Sequence, residues 1–128
     1  MSYHSFADML AMAESSSAAL WQIVLANEIA LTGATEERVF AELAQRLAIM
    51  RQSAEGALHK ALTMPGNLIS GVARTQADYA KKEDSLCGSS INRVMALALS
   101  CSEVNASMGK ICACPTAGAC GVIPGVLL

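Results

Sequence analysis

Apolar and polar positions follow a helical period along most of this chain, and turn-forming residues punctuate the pattern. Ser5 followed by Asp8 has the form of an N-cap with a carboxylate near the positive helix end, which predicts a short helix from about Phe6 to Ala13. The polar run from Glu14 to Ser17 breaks it. The next stretch, AALWQIVLANEIAL, is apolar on almost every face until Thr32-Gly33 stops it. A helix apolar all round predicts burial, with Trp21 as a packing anchor in the core.

Thr35 is a suitable N-cap with Glu36 and Glu37 in the first turn, and Val39, Leu43, Leu47, Met50, Ala54, Ala57 and Ala61 then recur every three or four residues. This predicts a long amphipathic helix from Glu36 to Met64, roughly 43 Å at about 1.5 Å per residue. Glu42 and Arg46 form an exposed i,i+4 pair on it, Gly56 marks a bend, and Pro65-Gly66 terminates it. Spacing near 3.5 also permits a coiled-coil seam, although its alanines suit close packing in a globule better. Glycines, serines and the cluster Lys81-Lys82-Glu83-Asp84 mark residues 65–90 as loops, a hinge or lid region with one short helix around Ala73 to Ala80. Ser89 or Ser90 then caps a helix INRVMALALSCSEV, whose apolar face is Ile91, Val94, Met95, Ala98, Leu99 and Ser102.

Composition sharpens the fold class. Hydrophobic residues make up 53% of the 128 residues, charged residues 16% and aromatics only 4%, so the apolarity comes from Ala, Leu, Met and Val, which favour helices. The expectation is an all-α domain over residues 1–128, with about four to five helices and a Gly/Pro-rich C-terminal loop. The ending on Val126-Leu127-Leu128 supplies no polar cap, so the polypeptide is expected to continue and the domain to be truncated, its excess apolar surface facing residues that lie beyond. A net charge of −2 offers no basic stripe, which argues against nucleic acid and membrane partners. Five cysteines are an odd number without a disulfide framework, and the N-terminus lacks the form of a signal peptide. A cytoplasmic location with reduced thiols follows as an expectation.

The segment NASMGKICACPTAGACGVIPGVLL, from Asn105 to Leu128, holds three cysteines, four glycines and two prolines, and from Ile111 onward it has no charge. Its prolines and glycines interrupt any helix long enough to span a bilayer. Cys112, Cys114 and Cys120 are soft ligands of the kind zinc and iron–sulfur clusters take, yet their spacing matches neither a CxxC knuckle nor a ferredoxin run, and His4 and His59 lie far upstream. Small buried hydrophobes are the other reading of these thiols. In PTAGACG, glycine lets the main chain approach a ligand, and Thr116 with the N–H groups of a turn leading into a helix makes a seat for a carboxylate or phosphate. A tight turn between packed helices would carry the same residues.

This segment resembles the NAxMGxIxAxPTAGxxGxxPGxL signature of iron–sulfur-dependent L-serine dehydratases, in the α subunit or the α domain of single-chain forms. Weaker similarity extends upstream through Met64-Pro65-Gly66 and Arg74 to the ANE segment at Ala26 to Glu28. The resemblance implies a lyase of amino-acid metabolism and gluconeogenesis that converts L-serine to pyruvate and ammonia without pyridoxal phosphate. It implies a 4Fe-4S cluster acting as Lewis acid on the serine hydroxyl while a base removes the α proton. In the family pattern the cluster ligands lie in downstream motifs of the GCQ, CDP and VPC type, which this sequence lacks, so Cys112, Cys114 and Cys120 map onto none of them and this chain alone is expected to be inactive.

The resemblance further implies a β subunit or β domain as partner and an oligomeric enzyme. It places L-serine near Asn105, Ser107, Thr116, Ala117 and Gly118, with amide and hydroxyl groups holding the zwitterion and backbone N–H groups seating its carboxylate. Lys110 is a secondary candidate, as carboxylate partner or, if desolvated, as base; a solvent-facing lysine at a helix end is the plainer reading. Three alternatives stay open: the related iron–sulfur L-cysteine desulfidases, a non-catalytic helical interaction module, and a metal or redox site made by the three thiols themselves.

Overall fold

Six α-helices and two single 3₁₀ turns carry residues 3–128, the part of the chain that the computed structural model describes, and no strand occurs among them. The helices are α1 (Phe6–Ser16), α2 (Leu20–Thr32), α3 (Glu36–Glu55), α4 (Val72–Tyr79), α5 (Gly88–Ala106) and α6 (Val122–Leu127). The expected all-α class is found, with one helix more because the C-terminal segment closes into α6 instead of remaining a loop. The chain divides into two compact units, Met1–Gln45 and Arg46–Leu128. No single helix among the described residues is long and apolar enough to cross a membrane.

In the first unit, Ser5 Oγ accepts the Asp8 N–H at 3.1 Å, and the Asp8 carboxylate accepts the N–H groups of His4 and Ser5, both at 3.1 Å. These bonds, the one from His4 foremost, hold the Asp8 carboxyl below its ordinary range. α1 runs three residues past Ala13, and within that extension Ser15 and Ser16 donate their hydroxyls back to Met12 O at 3.0 and 2.7 Å. Ser17, at φ 53°, ends it.

α2 departs from its predicted environment. Ile23 is its one buried residue, while Trp21 is 57% exposed and Leu31 71%. Trp21 is therefore no core anchor; it meets Phe40 edge to face, with ring centroids 6.4 Å apart. A helix apolar on every side needs neighbours on every side, and within its unit α2 packs mainly on α1.

α3 starts as predicted, with Thr35 Oγ1 accepting the Arg38 N–H at 3.3 Å, and its surface carries an Arg38–Glu42 ion pair at 3.1 Å. It stops at Glu55, nine residues before Met64. The cause is Ser100, whose hydroxyl accepts the Ala57 N–H at 2.9 Å and donates to Ser53 O at 2.9 Å. Those are the two groups that the next helical hydrogen bond would join, so an inserted side chain ends the helix.

The second unit is organised around α5. Its predicted capping serines, Ser89 and Ser90, lie inside its first turn, because the helix begins at Gly88 after Cys87 at φ 67°. Its predicted apolar face is also displaced. Ile91 and Met95 are about half exposed, whereas Asn92, Ala96, Leu97, Ser100, Cys101 and Glu103 are buried. The polar members of this stripe are all satisfied by hydrogen bonds: Asn92 Nδ2 donates to Leu86 O and Gly88 O, its Oδ1 accepts from Gln76 Nε2 at 2.7 Å, and Glu103 caps α4. The 65–90 region expected to form a hinge or lid is thus tied to α5 at Gly71, Ala73, Gln76 and Leu86. The apolar centre beneath it is Ala54, Leu97, Cys101 and Cys120, with Leu58, Ile111 and Leu128 packed against them.

Candidate functional site

The C-terminal segment is anchored at both ends by close backbone packing. At the end of α5 the Gly109 N–H reaches Val104 O at 2.8 Å and the Met108 N–H reaches Asn105 O at 3.1 Å, with Met108 in the left-handed region at φ 63°. This is the Schellman arrangement, and it satisfies two terminal carbonyls of α5. Glycine suits residue 109, because a Cβ there would stand 2.9 Å from the backbone Val104 O. At the other end, α6 runs antiparallel to α5, with Gly121 against Ala98 and Gly125 against Val94. A Cβ on Gly121 would lie 2.8 Å from Ala98 Cα, so backbone meets backbone and the turn before α6 is fixed in register.

Between these anchors stands the PTAG turn. Thr116 caps the single 3₁₀ turn Ala117–Ala119, its Oγ1 accepting the Ala119 N–H at 3.3 Å. Thr116, Ala117 and Gly118 are exposed, and the first N–H groups of such a turn have no partner within it. Gly118 has no neighbour within 3.9 Å of a Cβ position, so its surroundings are open. The Cys114-Pro115 bond leading into the turn is cis. Gly121 meets α5 at Ala98, seven residues before Asn105, or roughly 10 Å along the helix axis at about 1.5 Å per residue.

The individual candidates differ in what they can offer. Asn105 is exposed in the last turn of α5, with its amide free of hydrogen bonds among the described residues. Ser107 is half-buried and its hydroxyl is already donated to Val104 O at 2.9 Å, leaving its oxygen lone pairs for a ligand donor. Lys110 is exposed. Cys112 and Cys114 are half-buried, while Cys120 is only 2% exposed in the apolar centre.

Burial pushes the Cys101 and Cys120 thiols up from the usual cysteine range, so both are held neutral. Among the described residues no three Cys, His, Asp or Glu side chains come together as a ligand set. A neutral, core-packed Cys120 is a poor thiolate ligand.

Glu103, which periodicity passes over, is the group that ties the site's scaffold together. It is fully buried, and its two oxygens accept the N–H groups of Gly71 at 2.9 Å and Ala73 at 2.6 Å. The signal in the sequence is that it is the single acidic residue in α5. In the first unit, Asn27 of the ANE segment leaves its buried Oδ1 without a hydrogen-bond partner among the described residues.

The fold and this segment define an all-helical α-type domain that displays an NASMG helix end and a PTAG turn. Residues 15–128 match the family described as serine dehydratase alpha chain, and the chain belongs to that family. It is similar to the L-serine dehydratase alpha chain of Peptoniphilus asaccharolyticus, 38% identical over 109 residues that make up 85% of this chain and 37% of that protein. It is also similar to the probable L-serine dehydratase alpha chain of Bacillus subtilis, 34% identical over 105 residues, 82% of this chain and 35% of the relative. With the L-serine dehydratase of Haemophilus influenzae the identity is 33% over 131 residues, 98% of this chain and 28% of that protein. The chain spans about a third of the length of the relatives it matches. No solved structure matches it.

Proposed function

We propose that this chain is the part of an L-serine ammonia-lyase that presents the NASMG helix end and the PTAG turn to substrate. The carrying observation is the exposed turn of Thr116, Ala117 and Gly118, held in register with α5 through Gly121. The Ala117 and Gly118 N–H groups suit a carboxylate, and the Asn105 amide and Ser107 oxygen suit the ammonium and hydroxyl of the same small zwitterion. The reaction removes the α proton and the hydroxyl of L-serine as water. The aminoacrylate tautomerises to an imine, and hydrolysis gives pyruvate and ammonia.

A 4Fe-4S cluster belongs to this reading only as a group held by ligands other than Cys112, Cys114 and Cys120, with a β subunit or β domain completing a cytoplasmic, oligomeric enzyme. On this reading the 128-residue chain alone would not turn over serine. The test is anaerobic co-expression of the whole polypeptide containing this chain with its β partner, followed by pyruvate release from L-serine, L-threonine and L-cysteine. Asn105→Ala and Thr116→Val should raise KM for serine. Absence of pyruvate after anaerobic cluster reconstitution would overturn the reading.

One observation favours a second role beside the first. The exposed apolar side chains of Trp21, Leu31 and Phe40 on the first unit suit a helical interaction module. Tight assembly of this chain with its β partner, in the absence of any cluster and without catalysis by the complete enzyme, would favour that role alone.

A further inference from the structure

The second unit carries a cavity of about 760 Å³ along the first half of α5. That volume lies in the range of roughly 300–1,000 Å³ usual for small-molecule sites. None of Asn105, Ser107, Thr116, Ala117 and Gly118 is among its lining residues. The cavity is thus distinct from the turn assigned above to serine, and what it binds does not depend on that assignment.

Its floor is apolar, built from Leu58, Ala77, Ala80, Ala96, Leu97 and Leu128. Its rim is basic, with Arg51 at the end of α3, His59 just beyond it, Lys81 after α4 and Arg93 on α5. Lys81 is engaged with Asp78 at 2.8 Å, so its ammonium is not wholly available. Arg51 and Arg93 differ. Among the described residues neither guanidinium makes an ion pair or a hydrogen bond, although Glu55 also lines the cavity. Two unpaired guanidiniums from different helices over one apolar floor are the unexplained feature of this molecule, because each could have been matched by a surface carboxylate at little cost.

The remaining lining extends the same chemistry. Ser89 and Ser90 place two exposed hydroxyls at the rim within the first turn of α5, and Cys87 gives that 19-residue helix no side-chain cap. We propose that this cavity binds a small oxyanion carrying a short apolar body, its head group between Arg51, Arg93 and the Ser89-Ser90 turn and its body on Ala96 and Leu97. Arginine forks match carboxylate and phosphate oxygens, and the apolar floor selects against bare inorganic anions.

The test is a titration of the ¹⁵N-labelled 128-residue chain at low salt with hexanoate, hexyl phosphate, hexan-1-ol and hexylammonium, read by amide chemical shifts. Saturable shifts at Ser89, Ser90 and Arg93 are expected with an anionic probe, at least tenfold tighter than with the alcohol or the ammonium. Preference for hexyl phosphate would identify a phosphate head group and preference for hexanoate a carboxylate, and either supports the site. Arg93→Gln and Arg51→Gln should each weaken the anion at least tenfold, and Glu55→Gln should tighten it. Equal binding of hexan-1-ol, shifts confined to α2, or unchanged affinity in Arg93→Gln would overturn the proposal. Should an arginine variant unfold, an unchanged affinity in Glu55→Gln would overturn it alone.

Discussion

The carboxylate of Glu103, buried in the middle of the second unit, accepts the backbone N–H of Ala73 at 2.6 Å and so caps α4 from a different helix. Its other oxygen takes the Gly71 N–H at 2.9 Å. A helix N-terminus attracts an anion, and here a glutamate distant in sequence supplies it where a local Ser or Asp would normally stand. Glu103→Gln keeps the volume but turns an NH₂ group toward one of those donors. Loss of about 2–3 kcal/mol is expected from breaking a buried charge-assisted pair. Urea unfolding with amide exchange at Gly71 and Ala73 would read it, and unchanged protection of both amides would count against the capping role.

Ser100 is the second buried polar group whose removal should be felt beyond its own site. Its hydroxyl replaces the missing helical bond between Ala57 N–H and Ser53 O, with 2.9 Å to each. Ser100→Ala leaves both groups buried without that bridge, a loss of about 1–3 kcal/mol. Faster hydrogen exchange at Ala57 should accompany the loss. If α3 instead lengthens past Glu55 in the variant, the exchange at Ala57 would slow, and the inserted hydroxyl would be identified as the helix stop.

These two residues also mark where the sequence is legible and where it is not. Ser5, Thr35 and the turn at Thr32-Gly33 are local signals, and the helix ends they predict are found. The stop of α3 at Glu55 is invisible to periodicity because Ser100, far along the chain, causes it. The same holds for α5, where binary patterning chose Ile91 and Met95 as inward and the structure buries Asn92, Ser100 and Glu103. A pattern that scores polar residues as outward cannot detect polar groups satisfied by backbone partners elsewhere. The PTAG segment was legible as a turn because its glycines and Thr116 act locally, whereas the close approach of Gly121 to Ala98 needs tertiary structure to appear.

Burial raises the pKa of both Cys101 and Cys120, and this has a definite sign for stability. The folded state holds the proton more tightly than the unfolded state, so their contribution is fully present below the ordinary cysteine value near 9.0 and is lost as pH rises past it. Unfolding midpoints of the second unit should therefore fall from about pH 9 upward, and Cys120→Ala should flatten that slope at some cost in packing. Thiol labelling at pH 8 gives an independent check. Exposed Cys87 should react first and the two buried thiols only on unfolding.

Gly118 and Gly121 stand three residues apart and should separate fold from function when each is changed to alanine. At Gly121 the new Cβ would lie 2.8 Å from Ala98 Cα, a backbone contact that no side-chain motion can relieve, so α6 must move off α5. A loss of about 1–3 kcal/mol is expected from such overpacking, with amide shifts spreading from Val94 to Ala98. At Gly118 the nearest atom is Thr116 Oγ1, 3.9 Å away, so the same methyl group is accommodated without strain. Its effect should be confined to a ligand approaching the exposed N–H groups. In the complete enzyme, Gly118→Ala should raise KM for serine while leaving the unfolding midpoint within about 0.5 kcal/mol of the parent. If Gly118→Ala leaves KM unchanged as well, the turn does not seat the substrate, and the open space beside Gly118 has no part in serine binding.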